Sequence, residues 1–102
     1  YDIVYESETF EVQIPVKYTP DFVLEYPDGS TKIIECKGYF DDNDRKKILR
    51  FREQYPEIDF LIVFQRDNPV RSSSKTFRYS DWCTKHNIRY SIASIPEDFL
   101  NG

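Results

Sequence analysis

The 102-residue chain has no methionine, one histidine, one tryptophan, two cysteines and three glycines. Each shortage excludes something. Cys36 and Cys83 lie far apart and build no disulfide framework, so a reducing compartment is expected. His86, the only histidine, has no Cys or His partner at zinc-ligand spacing, which leaves it a structural or surface role. Three Gly and six Pro exclude a collagen-like or low-complexity chain. No Walker loop, nucleophile elbow or dinucleotide fingerprint occurs. No apolar run approaches the roughly 18 residues of a membrane span, and no signal peptide is visible. Without an initiator Met, the numbering is expected to start inside a longer product.

What is present is 39% hydrophobic and 31% charged, with 17% aromatic residues. That composition describes one globular domain over 1–102, with a small core filled by large rings. The formal net charge of −4 argues against a nucleic-acid partner until its distribution is read. Residues 1–31 carry −6, residues 32–90 carry +4 and residues 91–102 carry −2. The middle is basic and the ends are acidic.

Residues 1–6 and 10–16 read as strands. In the second, Phe10, Val12, Ile14 and Val16 alternate with polar positions, and Pro15 marks an edge or an end. Residues 21–26 and 30–37 flank Pro27-Asp28-Gly29, a three-residue hairpin loop with Pro setting φ and Gly supplying φ > 0. In that register Phe22 faces Ile34, and Asp21 faces Glu35. A four-residue loop would send the two carboxylates to opposite faces. Asp42 or Asn43 is expected to cap a helix through about Tyr55, whose apolar face is Ile48, Phe51 and Tyr55 and which Pro56 ends. Phe60–Phe64 is the continuous apolar run of a strand covered on both faces. Residues 66–78 read as a basic loop. Ser80 is expected to cap a short helix that Asn87 closes in the left-handed region. Residues 88–93 form a last strand, and 96–100 a turn or helix. The order implies an α/β (α+β) fold, a mixed central sheet flanked by helices.

Three constellations carry chemistry. Glu35 and Lys37 are two apart on a strand and share a face, with Asp21 opposite. Two carboxylates this close favour a shared proton or a cation, and Mg²⁺ suits them. The same residues also read as solvated cross-strand ion pairs. Arg45, Lys46, Lys47, Arg50 and Arg52 fall within eight residues; they read as phosphate contacts or as a solvated helix face behind the N-terminal acids Asp41, Asp42 and Asp44. Arg66, Arg71, Ser72-Ser73-Ser74, Lys75 and Arg78 suit phosphates or form a plain flexible loop. Cys36 points away from Glu35 and Lys37 and reads as a buried structural thiol, while its backbone carbonyl stays within reach of a metal. Trp82 and Phe77 read as packing residues.

Thr19-Pro20-Asp21-Phe22 followed by Ile34-Glu35-Cys36-Lys37-Gly38 resembles the PD-(D/E)xK nuclease motif. The continuation is more specific. Asp44-Arg45-Lys46-Lys47, Arg52-Glu53-Gln54-Tyr55-Pro56-Glu57-Ile58-Asp59, Ile62-Val63-Phe64, Trp82-Cys83-Thr84-Lys85-His86-Asn87-Ile88 and Ile95-Pro96 together resemble the phage endonuclease I family of Holliday-junction resolvases. The likeness covers nearly the whole chain. It implies a restriction-endonuclease-like core and a dimeric, Mg²⁺-dependent endonuclease that cuts four-way junctions and other branched DNA, with Mn²⁺ able to substitute. By that likeness Asp21 and Glu35 are metal ligands and Lys37 is the catalytic lysine; the position of Cys36 between the last two makes its carbonyl a further expected metal ligand. The likeness also places Arg45, Lys46 and Lys47 near the DNA backbone, and the basic helix and loop read above add Arg50, Arg71 and Lys75 as expected DNA contacts. The family places a helix with one more active-site Glu ahead of the first strand, and this chain is expected to lack it. Family homodimers exchange segments ahead of the Thr-Pro-Asp motif; only Val16-Lys17-Tyr18 separate Pro15 from Thr19 here, so an altered or absent exchange is expected. A cytoplasmic location is expected, that of the host cell for a phage product, with no membrane partner. The alternatives are a transposon- or repair-type endonuclease on the same core, a DNA-binding module without catalysis, and a protein-interaction domain.

Overall fold

The computed structural model describes residues 2–5, 10–12, 16–71 and 74–101, with side chains for 19–71 and 76–101. Its centre is a sheet of β1 (Asp2–Tyr5), β4 (Phe22–Glu25), β5 (Thr31–Lys37), β6 (Asp59–Phe64) and β9 (Arg89–Ile92), in the order β1-β4-β5-β6-β9. The pairs β1/β4 and β4/β5 are antiparallel, whereas β5/β6 and β6/β9 are parallel. Parallel neighbours need crossovers. Helix α1 (Asp42–Gln54) leads from β5 to β6, and α2 (Tyr79–Lys85) precedes β9. Helix α3 (Glu97–Leu100) follows β9. The mixed sheet with flanking helices is the architecture expected from the sequence.

Strand alternation sorts the core into two clusters. Ile33, Phe60, Ile62 and Phe64 face α1 and α2, together with Phe40, Ile48, Phe51, Tyr79, Trp82 and Cys83. Leu24, Ile34, Leu61 and Val63 face Phe99 of α3. Every residue from Phe60 to Phe64 is buried, as a strand covered on both faces requires. Phe40, unremarked in the sequence, is the hub of the first cluster. Its ring meets Phe64, Tyr79 and Trp82 edge-on at 5.3, 5.5 and 4.9 Å, a favourable aromatic arrangement.

The β4–β5 loop is the three-residue one. Tyr26 N–H donates to Ser30 O, Gly29 N–H to Tyr26 O, and Gly29 has φ 88°. Phe22 pairs with Ile34, so Asp21 and Glu35 share a face. Asn87, at φ 55°, ends α2 as expected.

Four expectations are corrected. Residues 10–16 are not one strand: β2 (Phe10–Val12) and β3 (Val16–Tyr18) pair antiparallel as a separate hairpin against α1. Pro15 lies outside the described residues. Residues 66–78 are not a plain loop either, since β7 (Pro69–Arg71) and β8 (Ser74–Arg78) form a second hairpin; Ser72 and Ser73 lie outside the described residues. The α1 cap is Asp41, one residue earlier than expected: its Oδ1 accepts from Asp44 N–H, and Asp44 Oδ2 accepts from Asp41 N–H. This reciprocal box satisfies two N–H groups at the helix start. Ser80 lies inside α2 and does not cap it. Its N–H and hydroxyl both donate to the Asp67 carboxylate, which comes from the loop after β6.

Candidate active site

The site follows from strand parity. Ile33 faces α1, so Glu35 and Lys37 face α1 as well, at the end of β5. Val23 is paired with Ile33; Asp21, two residues earlier on the neighbouring strand, arrives at the same edge. There Asp21 N–H donates to Glu35 Oε1 at 3.2 Å, and Cys36 N–H donates to Asp21 Oδ2 at 2.8 Å. The register read from the turn brings the two carboxylates together.

Glu35 is only 3% exposed. A carboxylate buried this far needs compensation. Lys37 Nζ supplies part of it, 3.5 Å from Glu35 Oε2. The same ammonium donates to Asp44 Oδ1 at 3.2 Å. Burial works to lower the Lys37 pKa, but the Glu35 charge and the Asp44 hydrogen bond outweigh it and raise it above its ordinary value. Lys37 is therefore a fixed cation at neutral pH.

Asp44 is the site residue that sequence reasoning missed. In the sequence it reads as one of three acids at a helix N-terminus and as part of the Asp44-Arg45-Lys46-Lys47 motif, with no role at the site. A signal was available: Asp44 precedes Ile48 and Phe51 by four and seven residues, which puts it on the buried face of α1. A carboxylate on a buried face asks for a partner, and Lys37 is that partner.

Cys36 departs from expectation. Its thiol is exposed, not buried, because the sheet face opposite Glu35 is left uncovered at this end of β5. Partial desolvation, then the charges of Asp21 and Glu35, push the thiol above its ordinary pKa. Cys83 is the buried thiol. Trp82 packs as expected, whereas Phe77 is left 37% exposed.

The expected DNA contacts divide. Arg45 Nη1 donates to Phe40 O at 2.6 Å, and its Nη2 lies 3.6 Å from Asp42, so its guanidinium also braces the β5–α1 connection. Lys46 is exposed and pairs with Asp42 at 3.0 Å. Arg45, Lys46 and the exposed Arg71 line one groove; Lys47 and Arg50 do not line it. Lys75 lies on β8, and its side chain is outside the described residues. Among the described residues, no group of three or more His, Cys, Asp or Glu forms a ready cation cage. Among the same described residues, no helix is long and apolar enough to cross a membrane.

A mixed sheet clad by helices, with a carboxylate pair and a lysine where its antiparallel and parallel halves meet, defines an α+β protein with an acid–lysine cluster at a strand end. The family profile described as phage endonuclease I matches residues 2–102, and the chain belongs to the phage endonuclease I family. It is 43% identical over 79 residues to "Endodeoxyribonuclease 1" of Enterobacteria phage T3, covering 78% of this chain and 49% of that protein. It is 37% identical over 103 positions to "Endonuclease I" of Escherichia phage T7, covering 96% of this chain and 66% of that protein. The chain thus spans about half to two-thirds of the length of these relatives.

Proposed function

We propose that the chain is the catalytic core of a metal-dependent endodeoxyribonuclease that hydrolyses phosphodiester bonds in branched DNA, four-way junctions included. The observation that carries this reading is the convergence of Asp21, Glu35 and Lys37 at one sheet edge, in a chain of the phage endonuclease I family.

The donor set fits Mg²⁺. The ion takes hard oxygen ligands, keeps several waters, and is often held by one or two carboxylates plus substrate phosphate, so a larger cage is not required. Asp21, Glu35 and the Cys36 carbonyl would hold it, and Mn²⁺ accepts the same donors. When bound, such an ion supplies an activated water and polarises a phosphoryl oxygen. The remaining work belongs to the chain. The Asp21 N–H and Lys37 hold Glu35 in one orientation. Lys37 keeps its proton and offsets negative charge growing on the phosphate, or orients the attacking water. Asp44 fixes that ammonium from the helix side. Lys46, Lys47, Arg50, Arg71 and Lys75 meet backbone phosphates, and Arg45 does so where its guanidinium reaches the surface. The active form is read as a homodimer, which would place two such sites on one junction.

The test is cleavage of a four-way junction in Mg²⁺ by the purified protein. Lys37→Ala and Asp21→Ala are expected to lower the rate by about a hundredfold to a thousandfold. Parent-like cutting by either variant would sink the site assignment. Junction binding without cleavage, indifferent to Mg²⁺ and Mn²⁺, would leave a DNA-binding module instead.

A further inference from the structure

One flank of α1, the β7–β8 hairpin and α2 enclose a groove of about 420 Å³ whose lining includes none of Asp21, Glu35 and Lys37. Four cations line it: Arg45 and Lys46 from α1, Arg71 from β7 and Lys85 from α2. One carboxylate, Asp42, faces them. Lys46 sits 3.0 Å and Arg45 3.6 Å from Asp42. The Lys46 hydrogen bond, helped by the charges of Arg45 and Arg71, holds this exposed carboxyl below its ordinary pKa. Asp42 thus marks a point on which three cations converge, and one carboxylate cannot neutralise four cations. The excess favours a second anion.

The groove is also aromatic. Phe77 stands 37% exposed at its edge. Trp82 lines it, with the His86 ring 4.7 Å from the indole. Burial and the neighbouring Lys85 lower the His86 pKa, so the imidazole is mostly neutral at pH 7 and presents a flat ring. Phe77 and the half-buried His86 are the rings open to a ligand, and Trp82, 6% exposed, backs His86. Cations beside open rings in a concavity suit unpaired nucleotides, whose phosphates and base faces are both available. A paired duplex offers the phosphates but hides the base faces.

We propose that this groove is a second DNA-binding site, separate from the Asp21–Glu35–Lys37 cluster, that holds an unpaired nucleotide with its phosphate on Lys46, Arg71 and Lys85 and its base against Phe77 and His86, the ring that Trp82 backs. It rests on the reading that the chain acts on DNA, and it adds that single-stranded character at a branch is sensed away from the reacting phosphate.

Trp82 is the chain's only tryptophan, and it lies directly behind His86 at the wall of this groove, so its emission reports on a ligand seated there. A short oligothymidylate is expected to quench it saturably and in a salt-dependent manner. The exposed positions permit folded variants, checked by circular dichroism. Phe77→Ala and Lys85→Ala should each weaken oligothymidylate binding by about tenfold, as loss of a stacking or a phosphate partner does. Blunt-duplex binding, read by anisotropy, should change much less in Phe77→Ala. Lys37→Ala should keep the quenching in full. Inorganic polyphosphate, which carries charge without bases, should leave Trp82 emission unchanged. Oligothymidylate that binds by anisotropy without altering Trp82, or that binds equally well to Phe77→Ala, overturns the proposal. So does quenching by polyphosphate as strong as that by oligothymidylate. Quenching without any junction cleavage in Mg²⁺ would overturn the nuclease reading and leave the groove assignment standing.

Discussion

Two tasks meet at Asp44. One oxygen closes the capping box with Asp41, and the other takes the Lys37 ammonium. Asp44→Asn keeps the size and one acceptor oxygen but removes the charge that fixes Lys37. Cleavage is expected to fall by about tenfold to a hundredfold, the usual effect of loosening a catalytic group through its support. Junction affinity should hold, and Asp44→Glu should recover part of the rate. Equal losses in cleavage and in binding would show a folding defect instead. Asp21, Glu35 and Lys37 were legible as a group because turn chemistry gives the register and period two gives the face. The exposure of Cys36 was not legible. Parity told which face the thiol points to, but whether that face is covered depends on what packs over the end of β5, and Cys36 is left exposed there.

At the scale of elements, α3 shows how four residues are held in place. Its last carbonyls are bound by side chains from the sheet. Lys32 Nζ donates to Phe99 O and Tyr26 Oη donates to Leu100 O, both at 2.6 Å. The Lys32 ammonium also lies 4.9 Å from the Phe99 ring centroid and 5.1 Å from that of Tyr26. Lys32 is 8% exposed, and these contacts make that burial tolerable: a cation at a helix C-terminus meets carbonyls and ring faces. Lys32→Met fills similar volume but leaves the Phe99 carbonyl unpaired, and should destabilise the protein by about 1–3 kcal/mol. A denaturation midpoint equal to the parent's would show that α3 is held by packing alone. The same scale explains the misread hairpins. Residues 10–16 alternate correctly for a strand, yet the chain reverses within them, and no Asn-Gly or Asp-Gly pair announces the turn. In 66–78 the residues are polar, and what makes two strands of them is pairing across the hairpin, which local composition does not express.

Across the whole molecule, charge and titration follow burial. Burial, with a smaller push from Asp67, raises the Cys83 thiol from 9.0 to about 12. Lys37 is raised above 10.5 by Glu35 and Asp44 against the effect of burial. In both cases the folded state holds its proton more tightly than the unfolded state. Their contributions are therefore complete below the unfolded values and are lost as pH rises through the folded ones. Stability should be level around neutrality, fall above pH 9.0 as the unfolded thiol ionises, and fall further above 10.5 as unfolded Lys37 loses its proton. Urea denaturation across that range measures it. A midpoint that stays constant from neutrality into strong alkali would contradict both assignments.

The sequence by itself determined the mixed sheet with flanking helices, the β4–β5 register, a helix running to about Tyr55, the doubly covered strand at 60–64 and the family. Each of these rests on local rules: periodicity, turn chemistry, caps and an ordered set of motifs. Only the tertiary structure decided that Asp44 clamps Lys37, that Asp67 supplies the carboxylate at α2, that Lys32 holds the end of α3, and that Arg45, Lys46, Arg71 and Lys85 surround one groove. These are contacts between residues from 7 to 67 positions apart, or between separate elements. Which charges meet is settled by how helices lie on the sheet, and that depends on the packing of the whole core around Phe40, Phe51 and Phe64.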